Sequence, residues 1–175
     1  MNATRFHDRA LYCAMSSPLG DMLLVARAGS LAGVYFAGQK YAPAIDAAWR
    51  NDRDAPVLRA ARTQLADYFA GTRTRFDLPL ADGVGTPFQR AVWRAIAGVG
   101  WGDTATYSEI AARAGHAGSA RAAGAATGRN PWSIVVPCHR VQGAGGALTG
   151  YAGGLDRKRA LLALERGGDL STRAA

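Results

Sequence analysis

The order of the hydrophobic patterns is the feature that most constrains the fold of this chain. Short strand-like runs fill positions 11–36, and helical patterns dominate after a glycine-containing link at positions 82–85. Turn residues divide the first stretch into three runs, at positions 11–16, 22–28 and 31–36. Short apolar runs joined by tight turns predict a three-stranded antiparallel meander.

A single helix is predicted to cover that sheet. Between residues 55 and 70 the apolar residues recur at helical spacing, and Gly71 follows as a stop signal. Residues 76–80 form a further short run that can add a strand. We therefore expect an N-terminal α/β domain over residues 1–82.

The second half of the chain begins with a strong helix signal. Thr86 and Pro87 fit the N-cap and the first position of a helix that ends near Gly98. This helix opens a mostly helical domain, which we place over residues 86–170. The whole chain is thus expected to be an α+β protein.

Two short helices follow. Residues 106–109 fit a capping box and open a helix that ends at Gly115. After a tight turn at residues 116–118, Ser119 is expected to cap a second helix that runs to Thr127. A helix, a short glycine-containing turn and another helix together predict a helix-turn-helix.

The basic residues are concentrated in the same half. Residues 1–85 carry 10 basic and 8 acidic side chains, whereas residues 86–175 carry 11 and 5, within a net charge of +8. A basic segment favours a polyanionic partner such as DNA.

The second helix of the helix-turn-helix consists almost entirely of alanine and glycine, apart from Arg121 and Thr127. Such a helix can pack closely against a neighbour in a core. On a surface, it lets its backbone and its N-terminal N–H groups approach the phosphates of DNA. The charge of this half favours the DNA-binding interpretation.

Several classes of protein are not supported by the composition. No apolar run approaches the roughly 18 residues that cross a membrane, and the first ten residues are polar, which predicts a cytoplasmic protein. Cys13 and Cys138 are far apart, and His7, His116 and His139 would have to converge from separate elements to bind a metal. Nucleotide-binding glycine motifs are also missing, so we expect neither metal nor cofactor.

A candidate nucleophile follows a short apolar run. Residues 134–136 read as a buried strand that delivers Cys138 next to His139. A free thiol has a pKa of about 8.5, so a nucleophilic cysteine needs a base or a positive field within reach. Pro137 allows the bend that would bring the histidine towards the sulfur. On these residues alone, a buried structural thiol with a core histidine is the favoured interpretation, because most free cysteines in proteins have that role.

The string Pro137-Cys138-His139-Arg140-Val141 resembles the active-site signature of the O6-alkylguanine-DNA alkyltransferases. Other positions match the family in order and spacing: the Asn130-Pro131 hinge, Arg121 as its arginine finger, Tyr107, the loop at residues 150–155, and Glu165. The resemblance covers roughly residues 86–166. Residues 1–80 resemble only the layout of the family's variable, ribonuclease H-like first domain.

The resemblance implies a role for each matching residue. The implied catalytic residues are Cys138, His139, Glu165, Tyr107 and Asn130. The implied DNA-binding residues are Arg121, Tyr107, Ser119, Ala120, Ala122, Ala123, Gly124 and Arg140. Arg129 departs from the family pattern by adding a positive charge just before the hinge, and we expect it to bind DNA through a second phosphate. The implied alkylguanine pocket comprises Val141, Tyr151, Ala152, Gly153 and Pro137.

By the same resemblance, the helix-turn-helix enters the minor groove and the damaged nucleotide turns out of the duplex. Arg121 fills the vacated space, and Tyr107 helps to rotate the phosphate and donates towards the purine. Glu165 orients His139, which takes the Cys138 proton through a water. The carbonyls of Cys138 and Val141 accept from the guanine amine.

The implied activity is the irreversible, stoichiometric transfer of an alkyl group from O6-alkylguanine, and from O4-alkylthymine, to Cys138. The implied partner is double-stranded DNA, with no membrane and no required protein partner; cooperative assembly along DNA is left open. Ala152 departs from relatives that carry a serine there, which puts tolerance of bulky lesions in question. Two alternatives stay open: a lesion-recognising DNA-binding protein without chemistry, and a thiol hydrolase.

Overall fold

The first half of the molecule is a four-stranded sheet. The computed structural model describes residues 10–168 and residue 170. The strands are β1 (Leu11–Met15), β2 (Met22–Arg27), β3 (Ser30–Phe36) and β4 (Arg50–Asn51), in the spatial order β3-β2-β1-β4. The first three pair antiparallel, as predicted for the meander, and the short β4 adds parallel to β1.

Alternating side chains give this sheet two apolar faces. Met22 and Leu24 point to the face covered by α1 (Pro56–Phe69), whereas Val25 joins a smaller cluster with Tyr35 on the opposite face. Helix α1 packs against the sheet through one row of buried side chains, which consists of Leu58, Ala61 and Leu65. The period of two in the strands and of 3.6 in the helix explains why both patterns were readable in the sequence.

The second half is mostly helical. It contains α2 (Pro87–Ala97), α3 (Tyr107–Arg113), α4 (Ala120–Gly128) and α5 (Leu155–Glu165), with a two-stranded parallel ladder between β5 (Ala105–Thr106) and β6 (Val141–Gln142). Thr86 and Thr106 both form complete capping boxes. The predicted α+β fold class is therefore confirmed.

Two local predictions were wrong. Residues 134–136 form a tight turn in which Ile134 has a φ of 72°, because the run is buried by packing rather than by strand pairing. Residues 76–80 contribute only an isolated bridge between Leu31 and Leu80. Ser119 occupies the N-cap position of α4 as predicted, although its side chain makes no capping hydrogen bond.

One hydrophobic core joins the two halves. Val34 of β3 forms a bridge with Trp132, and the Trp132 indole donates to the Leu31 carbonyl at 2.8 Å. On the other side, the Trp93 indole donates to Ala126 of α4 at 2.8 Å. A single cluster of buried side chains runs through both sets of contacts, so the position of the second half is set by the sheet.

Some predictions fall outside the described residues, namely those on residues 1–9, including His7, and on residues 169 and 171–175. In the part of the chain that is described, no helix has the length and apolar content needed to cross a membrane. Nor do three or more His, Cys, Asp or Glu side chains of those residues come together as a group that could hold a metal ion.

Candidate active site

Cys138 begins a single turn of 3-10 helix, Cys138–Arg140, directly after the buried Pro137. The cysteine is only 5% exposed, and its Sγ accepts a hydrogen bond from Asn130 Nδ2 at 3.2 Å. The same amide nitrogen donates to the Val136 carbonyl at 2.8 Å, and the amide oxygen accepts from the Trp132 N–H at 3.0 Å. Asn130 therefore fixes both the thiol and the backbone that precedes it.

Opposing effects act on the thiol. Burial raises the pKa of Cys138, whereas the hydrogen bond from Asn130 and the positive charge of Lys158 lower it. Lys158 lies on α5 and is fully buried, with its Nζ donating to the Val141 carbonyl at 2.6 Å. The Gly150 carbonyl lies 3.3 Å from the same Nζ. Backbone carbonyls thus hold a cation where it stabilises the thiolate.

His139 is completely buried and pairs with Glu165. Its Nε2 lies 2.7 Å from Glu165 Oε1. Because an ionised carboxylate can only accept, Nε2 carries the proton and Nδ1 is the basic ring nitrogen. Nδ1 is buried and has no hydrogen-bond partner within the described residues. Burial lowers the pKa of His139, against the opposite effect of Glu165, so the ring is neutral and able to take a proton.

Five hydrogen bonds converge on the Glu165 carboxylate. Oε1 accepts from the Tyr68 hydroxyl at 2.7 Å, from His139, and from one Arg140 nitrogen at 3.0 Å. Oε2 accepts from Arg140 Nε at 2.9 Å and from the Gly102 N–H at 3.4 Å. Burial alone would raise the pKa of Glu165, but the bonds from His139 and Arg140 outweigh it and lower the pKa to about 2.

The environment of Arg140 shows that the predicted contact of this residue with DNA is wrong. It is 5% exposed, and its guanidinium binds Glu165 and the Val99 carbonyl. A guanidinium enclosed in this way is not available to a phosphate. It neutralises Glu165 instead, which favours the neutral form of His139.

A cavity opens onto Cys138 between α4 and the loop at residues 150–154. Tyr107 lines one wall and donates to the Thr149 carbonyl at 3.1 Å. Gly124 of α4 lies beneath that ring, where an added Cβ would be 3.6 Å from the tyrosine. Tyr151 lines another wall, and burial raises the pKa of its hydroxyl, with the adjacent Cys138 adding to the effect. The cavity is therefore aromatic on two sides, as a purine requires.

The loop that closes the cavity depends on a glycine. A Cβ at Gly153 would lie 2.8 Å from the Tyr151 ring and 3.1 Å from the Phe36 ring, so a larger residue does not fit. Ala152 lines the cavity, and its carbonyl accepts from the Lys40 N–H at 3.0 Å.

The Val141 carbonyl already accepts from Lys158. If it also accepts from the guanine amine, as the resemblance implies, it must do so with its second lone pair.

The residues of the predicted DNA-binding helix differ in their exposure to solvent. Arg121 and Ala122 are exposed, and Arg129 is exposed just beyond the helix end. Ala120, Gly124 and the preceding Ser119 are half-buried. Ala123 is fully buried in the hydrophobic core, on the side of α4 that faces the protein, so its predicted contact with DNA is wrong.

Two buried residues at the site were missed by the sequence analysis. Tyr68 read only as one apolar position of the α1 pattern, although its hydroxyl reaches Glu165. Lys158 read as one more charge, although it is one of only two lysines in a chain with 19 arginines. Its spacing from the leucines of α5, on the face that also carries Glu165, was the available signal.

The comparisons with known proteins agree with this geometry. Residues 87–167 match the family model described as the DNA-binding domain of 6-O-methylguanine DNA methyltransferase, and residues 10–81 match that of its ribonuclease-like domain. A methylated-DNA–protein-cysteine methyltransferase of Mycolicibacterium paratuberculosis is 48% identical over 155 residues, which are 89% of this chain and 92% of the relative. A protein of the same name from Methanosarcina acetivorans is 44% identical over 154 residues, 88% of this chain and 97% of its own.

A solved structure is similar over nearly the whole chain. The crystal structure of Mycobacterium tuberculosis OGT in complex with DNA superposes with a TM-score of 0.84 at 43% identity, covering 91% of this chain and 96% of that one. The two matched domains, the identities and the shared fold lead to one conclusion: this chain belongs to the 6-O-methylguanine DNA methyltransferase family.

Proposed function

We propose that this protein repairs alkylated DNA by transferring the alkyl group of O6-alkylguanine to Cys138. The observation that carries the proposal is the buried Cys138 sulfur at an aromatic cavity, bonded to Asn130 and placed next to the His139–Glu165 pair. The relatives bear the name of this activity, and one was solved in complex with DNA.

The reaction is a displacement at the alkyl carbon. The Cys138 proton passes through a water to His139 Nδ1, while Glu165 fixes the ring through Nε2. The thiolate then forms the S–C bond, and the C–O6 bond breaks with its electron pair going to the guanine. Tyr107, which in the free protein donates to the Thr149 carbonyl, instead donates a hydrogen bond to the purine ring as negative charge develops there. The proton that His139 took from Cys138 returns through water to the guanine, so that protons and charge balance. The products are an S-alkylcysteine and an unmodified guanine.

Access to the lesion requires the nucleotide to leave the base stack, at a cost of a few kcal/mol. Arg121 is exposed on α4 and is the residue we assign to the space left in the duplex. The exposed Ala122 and the half-buried Ala120 lack bulk, which lets the helix approach the minor groove closely. Arg129 is assigned to a phosphate.

The transfer happens once per molecule, because no neighbouring group is able to expel a thioether. O4-alkylthymine presents the same alkyl–oxygen bond on a smaller ring, so we include it among the substrates. We also propose a cytoplasmic location, which is supported by the dependence of the chemistry on a free thiol. The protein acts on DNA without a required protein partner.

A mass measurement tests the function directly. Incubation with a duplex that contains O6-methylguanine should add the mass of one methylene to the peptide that holds Cys138, up to one equivalent. The Cys13→Ser variant is the matched control and should react normally, because Cys13 is buried in β1 and does not line the cavity. Cys138→Ser should bind the duplex and transfer nothing. Multiple turnovers, or an unmodified Cys138 with the lesion intact, would refute the proposal.

A further inference from the structure

The N-terminal domain supplies part of the rim of the lesion cavity. Lys40 and Tyr41 line the same cavity as Cys138, although they follow β3 of the sheet. Tyr41 is 48% exposed, one of only two large hydrophobic side chains among the described residues that are this open to solvent. A solvent-exposed aromatic ring beside a reactive site needs an explanation, since Tyr41 is part of neither the hydrophobic core nor the catalytic group.

The segment that carries Tyr41 is fixed to the catalytic half. The Lys40 N–H donates to the Ala152 carbonyl at 3.0 Å, which joins it to the loop that closes the cavity. The buried Gln39 side chain accepts from the Ser133 hydroxyl at 2.9 Å and from the Phe36 N–H at 3.0 Å. Tyr41 itself has a φ of 67°, a conformation that a bulky residue rarely adopts. These bonds hold the ring at the cavity mouth.

Two cations flank the ring. The Arg129 guanidinium lies 4.0 Å from the Tyr41 ring centroid, and Lys40 Nζ lies 5.0 Å from it. Both distances are within the range of cation–π attraction. Neither cation forms a salt bridge with a carboxylate of the described chain. The rim therefore carries two positive charges beside the Tyr41 ring, Lys40 from the N-terminal domain and Arg129 from the helical domain.

A flipped nucleotide places its anionic part at this rim. When the alkylated base lies against Cys138 at the cavity floor, its sugar and phosphates must extend outward through the mouth. We infer that Lys40, Tyr41 and Arg129 bind the backbone phosphate of the extrahelical nucleotide, so that the N-terminal domain contributes directly to lesion recognition. This inference rests on the proposed function, and it adds a phosphate-binding site to it.

The test compares substrates with and without phosphate. We would measure methyl transfer to Cys138 from free O6-methylguanine and from O6-methyl-2′-deoxyguanosine 3′,5′-bisphosphate. The unmodified protein should react faster with the bisphosphate. In Lys40→Ala and in Tyr41→Ala, the ratio of the rate with the bisphosphate to the rate with the free base should fall by about three- to tenfold. This is the scale of one exposed charged contact or ring contact. Their rates with the free base should stay unchanged.

Two further variants sharpen the result. Tyr41→Phe keeps the ring and should retain the gain, which separates ring stacking from loss of the hydroxyl. Arg50→Ala is the control for net charge, because this arginine is 72% exposed on the short β4 strand and is absent from the cavity lining. With duplex DNA, Lys40→Ala should lower the salt slope of binding by about 1, and Arg50→Ala should not.

The outcomes separate the two claims. No transfer from a lesion-containing duplex by the unmodified protein would refute the proposed function itself. Normal transfer, with Lys40→Ala and Tyr41→Ala equal to the unmodified protein on both substrates, would overturn the rim inference alone. An equal loss on base and bisphosphate would also overturn it, because the segment would then act only by shaping the cavity.

Discussion

The Tyr68 hydroxyl donates to Glu165 Oε1 at 2.7 Å, the same oxygen that lies 2.7 Å from His139 Nε2. Tyr68 belongs to α1 of the N-terminal domain, whereas Glu165 ends α5. The tyrosine is fully buried, and its ring packs edge-on against Trp101. The first domain thus donates a hydrogen bond to the group that orients the histidine.

Removing this donor should change the pH dependence of the reaction. In Tyr68→Phe the ring stays, but Glu165 loses a partner and attracts the proton on His139 more strongly. The pKa of His139 should rise, and the acid limb of the pH–rate profile should move to higher pH. We expect transfer near neutral pH to slow by about three- to tenfold, the scale of one hydrogen bond to a charged group.

Single-turnover rates measured across pH check this prediction. Tyr35→Phe is the control, because Tyr35 is buried on the opposite face of the sheet. A slower Tyr68→Phe protein with an unmoved acid limb would assign Tyr68 to packing alone.

Lys158 should control the ionisation of the thiol. In Lys158→Met the positive charge that lowers the pKa of Cys138 is gone, so the effect of burial is less opposed and the pKa rises. Alkylation of Cys138 by iodoacetamide should slow at neutral pH and recover as the pH increases. Arg159→Met removes an exposed cation from the next position of α5 and should leave the profile in place. Identical profiles for all three proteins would contradict the assigned role.

The Glu165–Arg140 pair should be costly to break. Glu165→Gln leaves the buried guanidinium without its counter-charge, which should lower the free energy of unfolding by about 3 to 5 kcal/mol near neutral pH. The pKa of Glu165 is lowered from 4.5 to about 2 on folding, so its stabilising effect is complete above pH 4.5 and is lost as the pH falls towards 2.

Urea unfolding at several pH values checks both parts. The difference between the unmodified protein and Glu165→Gln should shrink on acidification below pH 4.5. The double variant Arg140→Met, Glu165→Gln should recover part of the stability, because no unpaired charge is left. A pH-independent difference would show that the lost stability does not come from the ionised carboxylate.

Arg121 should matter only when a duplex must be opened. Arg121→Ala removes the side chain assigned to the vacated space, so repair of O6-methylguanine in a duplex should slow by at least about tenfold. Transfer from free O6-methylguanine should be unaffected. Arg113→Ala, an exposed arginine in the last turn of α3, is the matched control. Equal deficits of Arg121→Ala on both substrates would remove its assignment.

The elements that the sequence predicted correctly depend on local chemistry. The Thr86 N-cap and the Thr106 capping box require only residues within three positions of each other, and the meander requires only alternation and turns. The turn at Ile134 was not predictable in this way. Its apolar run satisfies a strand pattern, but Trp132 pairs with β3 from a distant part of the chain and forces the segment to bend.

The same distinction applies to the site. Cys138 and His139 are neighbours in one string, and family resemblance gave Glu165. Tyr68 is 97 residues from its partner Glu165, so no spacing in the sequence could connect them. Arg140 was assigned to DNA together with the other residues that match the family, yet its environment depends on a carboxylate 25 residues later.

The single core has a consequence for how such a protein changes over time. Val34 and Trp132 interlock the sheet with the segment that leads to Cys138. A substitution at Val34 of β3 therefore alters the packing of the segment that leads to the reactive cysteine. The first domain is therefore constrained by its support of the reactive centre as well as by the stability of its own sheet.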